Sequence, residues 1–254
     1  MPNRQITSLR HAGSPAAGMS VVRLELLGGF ELQAQNRSVR APLHVQRLLA
    51  FLALHGGRPL HRGYVAGRLW IDLSQEHAHA SLRTTLWRMR RVGCHVVDVT
   101  STHIAIATSV TVDVHELEEC ARRVLQAGAP ATSQELYLLA HAEELLPDWY
   151  QDWILQERER LHQLRVIALE ATAEALILVR RYADAAMAAL AAIGADPLRE
   201  SAYRLLIRSD LGDGNAAEAL RHFDAFRTEL MTLYGLDPSP QMQELVRGLH
   251  ARCG

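Results

Sequence analysis

The chain has 254 residues and a formal net charge of −1, and 48% of its residues are hydrophobic. That is enough apolar material for one large domain or two modest ones, which excludes a disordered or low-complexity protein. All 27 basic residues are arginine, a bias that fits GC-rich coding DNA.

The near-zero net charge hides a strong asymmetry. Residues 19–112 carry 11 arginines against 5 acidic residues, and residues 113–254 carry 14 against 23. A basic half joined to an acidic half suggests different partners for each. The basic half fits nucleic acid, and the acidic half fits an interaction module.

In chain order, residues 1–18 are polar and rich in Gly, Ser and Pro, and are expected to form a disordered tail, with Met19 a candidate true start. Val22, Leu24 and Leu26 alternate with polar residues, Gly28-Gly29 turns the chain, and Phe30 and Leu32 follow. This predicts short strands over 21–35, with a third beginning at Val39 after the turn at Asn36–Ser38. Pro42 opens a helix bearing Val45, Leu48, Leu49 and Leu52, which Gly56-Gly57 ends. Arg62–Trp70 reads as a short second helix, and Ile71–Gln75 as a loop.

Glu76–Val92 is the most informative stretch. Ala78, Leu82, Leu86 and Met89 recur at helical spacing and should face a core. Thr84, Trp87, Arg88 and Arg91 fall on roughly the opposite side, with Arg83 and Arg90 on the flanks. No carboxylate interrupts the run from Ala78 to Arg91. Such a helix can enter a major groove and offer guanidinium groups to phosphates and guanine edges. The competing reading is a basic but solvated surface helix. Trp87 could pack on DNA or cover a neighbouring helix. Arg90 could pair with a carboxylate instead. Arg47, Arg62 and Arg68 could reach the DNA backbone or simply be solvated.

His95–Ala107 reads as a hairpin, with Val97 and Val99 on one arm and Ile104 and Ile106 on the other. Its tip, Thr100, Ser101, Thr102 and His103, would be the wing. Strands, three helices and a hairpin, with the third helix basic, describe a winged helix-turn-helix.

From Asp113 the pattern is helical, with helices expected near 113–127, 132–146, 149–180, 182–193, 197–211, 215–234 and 238–251. Tyr182–Leu190 and Ala216–Asp224 are similar at an offset of 34 residues, matching Ala183 to Ala217 and Ala185 to Ala219. That period fits a tetratricopeptide-like helix pair. The fold expected is therefore mainly α with small β elements: a winged helix-turn-helix over 19–112, then an all-α tetratricopeptide-like domain over 113–254.

Other chemistries find little support. Cys94, Cys120 and Cys253 form no CxxC pair or zinc spacing, and suit a reducing compartment. His77 and His79 sit on different helix faces, which is poor metal geometry. There is no GxxxxGK[ST] phosphate loop and no GxSxG elbow. Cys94, His95 and His103 could meet across the hairpin, and the aspartates near Trp149 and Trp153 could suggest a sugar site, though packing explains both. The longest strictly apolar run, Leu48–Leu54, is far too short to span a bilayer, and no signal peptide is apparent. A cytoplasmic, nucleoid-associated protein without enzyme activity, metal or cofactor is expected.

The chain resembles the SARP-type (AfsR/DnrI-like) bacterial activators, the Streptomyces antibiotic regulatory proteins, over about residues 21–250. LHVQRLLAFLALHGGRPLHRGYVAGRLW at 43–70 is similar to the family's first two helices, and ASLRTTLWRMRR at 80–91 to its recognition helix. The leading strands and terminal hairpin match an OmpR-type winged helix. LLPDWYQDWILQERERLHQLRVIALEATAEALI at 145–177 and the stretch 181–242 are similar to the bacterial transcriptional activation domain, most specifically in DPLRE at 196–200 and LYGLDPSP at 233–240. The large members' ATPase domain has no counterpart motif here, as in the short form.

The resemblance implies a transcriptional activator that binds direct repeats in double-stranded promoter DNA, as a possible dimer there, and contacts RNA polymerase holoenzyme including its sigma factor. Such members commonly control antibiotic or other biosynthetic clusters. Arg83, Thr84, Trp87, Arg88, Arg90 and Arg91, with Thr100, Ser101 and Thr102 of the wing, form the implied DNA-binding set. Asp72 and Glu76, on and after the loop between the second and third helices, are the implied polymerase contacts. The hairpin departs from the family in lacking Gly-Tyr and any arginine. The Asp and Gln common near the start of OmpR-type recognition helices are also replaced. The alternative is a tetratricopeptide-like interaction or ligand-sensing regulator with a degenerate winged helix.

Overall fold

Val22, Leu24 and Leu26 point one way and are buried, while Arg23 and Glu25 point the other and pair with each other. This two-residue alternation opens a computed structural model that describes residues 22–127 and 130–250. The expected tail at 1–18, Met19 and Cys253 lie outside the described residues.

Strands β1 (Val22–Glu25) and β2 (Glu31–Ala34) pair antiparallel, with Leu24 opposite Leu32. β2 continues into β3 (Arg37–Ser38) through Gln35 and Asn36, both at positive φ (54° and 57°), as a tight two-residue hairpin requires. The third strand thus precedes Val39, whose N–H donates to the Leu32 carbonyl at 2.7 Å.

Helix α1 (Leu43–Ala53) is buried along most of its length. β4 (Leu60–His61) leads directly into α2 (Arg62–Leu69), and α3 (Gln75–Met89) follows. α3 tightens into a 3-10 turn, Arg90–Val92, which ends at Gly93 with φ 84°. β5 (Val97–Val99) and β6 (His103–Ile106) form the expected hairpin. β4 joins β6 to make a three-stranded sheet in the order β4-β6-β5.

Strand β7 (Val110–Val112) was not expected. It lies parallel to β1, Val22 opposite Val110, and completes a four-stranded sheet in the order β3-β2-β1-β7. Its partner is far away in sequence, although the β-branched run Val110, Thr111 and Val112 alternates as a strand does.

The remainder is helical: α4 (Asp113–Ala127), α5 (Ser133–His141), α6 (Asp152–Leu178), α7 (Tyr182–Ala195), α8 (Glu200–Gly212), α9 (Ala216–Tyr234) and α10 (Pro240–His250). α5 opens with a reciprocal capping box between Thr132 and Glu135. It ends before the expected 146 because the next residues bond to the first sheet. The Gly28 N–H donates to the Glu144 carbonyl at 2.8 Å and the Leu146 N–H to the Leu26 carbonyl at 2.9 Å.

α7/α8 and α9/α10 are the two helical hairpins that the 34-residue offset predicts. Ala185 and Ala219, matched at that offset, are both fully buried, whereas their matched neighbours Ala183 and Ala217 are both exposed.

No linker separates the halves. β7 runs straight into α4, and one apolar cluster joins Leu24, Leu49 and Phe51 to Val114, Leu146, Trp153 and Ile154. Phe51 meets Trp153 edge-on at 5.2 Å, and Phe30 stacks on Trp149 at 6.3 Å. Both tryptophans therefore pack at this junction. Arg158 fastens it further, with Nε donating to the Leu145 carbonyl and Nη2 to those of Leu146 and Trp149.

Candidate nucleic-acid interface

α3 begins at Ser74, whose hydroxyl accepts the His77 N–H as a helix cap. Ala78, Leu82, Leu86 and Met89 are buried as expected, and Thr85 joins them, its hydroxyl donating to the Ser81 carbonyl. This fixes the helix's rotation. Arg83, Thr84, Trp87 and Arg88 then face outward, and the 3-10 turn carries Arg90 and Arg91 on as exposed residues.

The charges on this face are uncompensated. Among the described residues, Arg83, Arg88, Arg90 and Arg91 form no ion pair with a carboxylate. The helical half behaves differently: Arg122, Arg158, Arg160, Arg199, Arg204 and Arg208 each pair with a glutamate. Part of the basic excess read from composition is therefore presented as guanidinium groups without carboxylate partners on α3 and the 3-10 turn that follows it.

Trp87 is 56% exposed. The Arg91 guanidinium lies over its ring, 4.5 Å from the centroid, a cation–π contact that holds both side chains on the outer face. The Thr84 hydroxyl donates back to the Ala80 carbonyl at 3.0 Å, which orients its side chain on the exposed face.

Sequence reasoning missed His44. It sits in the first turn of α1, and its Nε2 accepts a hydrogen bond from Arg88 Nη1 at 3.3 Å. Burial, and secondarily the Arg88 charge, holds the His44 imidazole below its usual pKa, so the neutral acceptor form is favoured at neutral pH. Only the packing of α1 on α3 brings the two together, and no local signal could have found it.

The wing tip is exposed at Thr100, Ser101 and Thr102. Thr100 Oγ1 donates to the His103 carbonyl and accepts the His103 N–H at 2.9 Å, closing the turn. Arg62 borders it from α2. Asp72 and Glu76 are exposed, in the α2–α3 loop and the first turn of α3 respectively. The structure does not gather Cys94, His95 and His103 into one cluster: His95 bonds Asp98 at 2.9 Å, and His103 bonds Thr102 Oγ1.

Comparison with known proteins decides the family. The model of the bacterial transcriptional activator domain matches residues 112–250.

The chain belongs to the bacterial transcriptional activator domain family.

It is similar to the regulatory protein AfsR of Streptomyces coelicolor, at 27% identity over 260 residues, covering 95% of this chain and 26% of the relative. The Streptomyces griseus protein of the same name is 26% identical over 256 residues, with 96% and 26% covered. The chain thus spans about a quarter of the length of these curated relatives. Among solved structures, Mycobacterium tuberculosis EmbR in complex with a low affinity phosphopeptide matches with a TM-score of 0.71 at 20% identity, covering 92% of this chain and 66% of that one. That likeness carries the fold across both halves. The resemblance to SARP-type activators drawn from the sequence is borne out, and this is a family of transcriptional regulators. Among the described residues, no helix of this member is long and apolar enough to cross a membrane.

Proposed function

We propose that this family member is a transcriptional activator that binds direct repeats in promoter DNA through α3 and recruits RNA polymerase holoenzyme. Residues 19–112 act as the DNA-binding unit and 113–254 as the activation unit, with a biosynthetic or secondary-metabolite cluster as the target. The observation that carries the reading is the outer face of α3 and its 3-10 extension, where, among the described residues, Arg83, Arg88, Arg90 and Arg91 stand without carboxylate partners while the other face of α3 is locked in the core. Guanidinium groups on such a face pair bidentately with guanine edges or bind phosphates. Thr84 and Trp87 lie between them and supply apolar contact. Thr100, Ser101 and Thr102 approach the flanking backbone, and Asp72 and Glu76 face the polymerase.

Footprinting of the protein on its own gene neighbourhood, across a salt series, tests this. The expected result is protection of a repeated site beside a promoter that persists at physiological salt. Arg88→Ala and Arg91→Ala should each weaken binding by about tenfold or more, since a good bidentate base contact is worth roughly 1–3 kcal/mol. Diffuse, fully salt-sensitive binding that neither substitution changes would favour an interaction module with a degenerate winged helix.

A further inference from the structure

We infer that Arg62, a residue of α2 and not of the hairpin, supplies the cation of the wing and binds a DNA phosphate flanking the groove entered by α3. The inference rests on the reading of α3 as the recognition helix.

To a phosphate the hairpin itself offers hydroxyl and backbone groups, Ser101 among them, but no guanidinium. Its sequence from His95 to Ala107 contains no arginine. The Thr100 hydroxyl is consumed in closing the turn, and that of Thr102 is shared with His103 Nδ1 at 2.9 Å. The hairpin's carboxylate, Asp98, is engaged by His95.

Strand pairing then brings a guanidinium to this place. β4 pairs with β6 so that His61 lies opposite His103, and the next residue along the chain is Arg62. Its backbone N–H donates to the Thr102 carbonyl at 2.9 Å, which pins the start of α2 to the wing turn. Its Nη1 reaches the Thr100 carbonyl at 3.4 Å. Of the five N–H donors of the fork, this long contact is the single one given to protein among the described residues. Among the described residues, no carboxylate pairs with Arg62.

Stability does not explain a cation here. Arg62 is the first residue of α2, the end at which the helix dipole disfavours positive charge, and the first turn of α2 holds no acidic residue. A carbonyl at 3.4 Å is weak compensation. A phosphate at the wing would satisfy the remaining donors and relieve the unfavourable charge.

The test uses the full chain and the DNA repeat protected by the wild-type protein. Binding is measured over a salt series for wild type, Arg62→Gln and Arg62→Lys, with hydroxyl-radical footprints and thermal melts of each. Loss of one phosphate contact should lower the slope of log K against log salt by about 0.9. Arg62→Gln is therefore expected to show that drop, to bind about 3- to 10-fold more weakly at physiological salt by the same rule, and to lose protection at the flank of the repeat. The ratio of specific to mismatched binding should stay unchanged, and Arg62→Lys should restore the slope. A wild-type slope and footprint in Arg62→Gln would overturn the inference. So would Arg62→Lys behaving like Arg62→Gln, which would make the residue structural, or a changed specificity ratio, which would make it a base reader. If the wild type protects no repeat, the reading of α3 has failed first and this inference fails with it.

Discussion

The carboxylate of Asp113 accepts the backbone N–H groups of Leu26 at 2.9 and 3.0 Å and of Leu27 at 2.9 Å, while Oδ1 also accepts the Val114 N–H at 2.7 Å. One buried side chain thus caps α4 and holds the end of β1, at the point where the basic half becomes the acidic one. Together with Arg158 and the bridge between Leu27 and Leu145, it makes the junction a packed interface and not a hinge.

Asp113→Asn should destabilise the fold by about 1–3 kcal/mol, because a buried site built for three N–H donors receives an amide with one acceptor oxygen. The dependence on pH follows from linkage. Burial raises the Asp113 carboxyl above its ordinary 3.8, with the N–H bonds and Arg23 opposing. The native state therefore keeps this proton to higher pH than the unfolded chain does. The carboxyl's contribution is greatest below the unfolded value and falls as pH rises through the native one. Urea titrations of wild type and Asp113→Asn should show a margin that shrinks as pH rises above the ordinary carboxyl value of 3.8. A margin that grows instead would mean that the N–H bonds outweigh burial.

Gly212, at the end of α8, lies against the ring of Tyr182 at the start of α7, and a Cβ added there would overlap that ring. Gly212→Ala should lower stability by about 1–3 kcal/mol through overpacking, or roughly 2–10 °C in Tm for a chain of this size. The double variant Tyr182→Ala, Gly212→Ala should fall short of the sum of the two single losses, because the clash disappears with the ring. Calorimetry of the four proteins decides it, and strict additivity would refute the proposed close approach.

His44 should report on the recognition face. Its imidazole is held below the ordinary 6.5 first by burial and then by Arg88. A depressed histidine contributes stability that is present above the unfolded value and lost as pH falls through the native one. An NMR titration of the imidazole should give a midpoint below 6.5 in the wild type. In Arg88→Ala the midpoint should move up only part of the way, since burial remains. An unmoved midpoint would show that Arg88 does not rest on His44 in solution.

Much of this architecture was legible in the sequence because the deciding interactions are local. The spacing of Ala78, Leu82, Leu86 and Met89 settles which side of α3 is buried, and hence that Arg83, Thr84, Trp87 and Arg88 face out. The 34-residue offset marks Ala185 and Ala219 as equivalent, and both are indeed fully buried. Where the reading fell short, a remote partner was involved. Helix α5 stops at His141 because Glu144 and Leu146 bond to the backbone of Gly28 and Leu26. Strand β7 exists because β1 offers it a parallel edge.

The sequence by itself determined most of the helices, the wing hairpin and the charged face, since periodicity, turn chemistry and composition act within a few residues. The tertiary structure alone decided what those parts are placed against: His44 against Arg88, Arg62 against the wing, Asp113 across the junction. Each of these joins residues 38 to 87 positions apart. Such pairs are set by how helices and strands pack on a shared core, and no local pattern in the chain encodes that geometry.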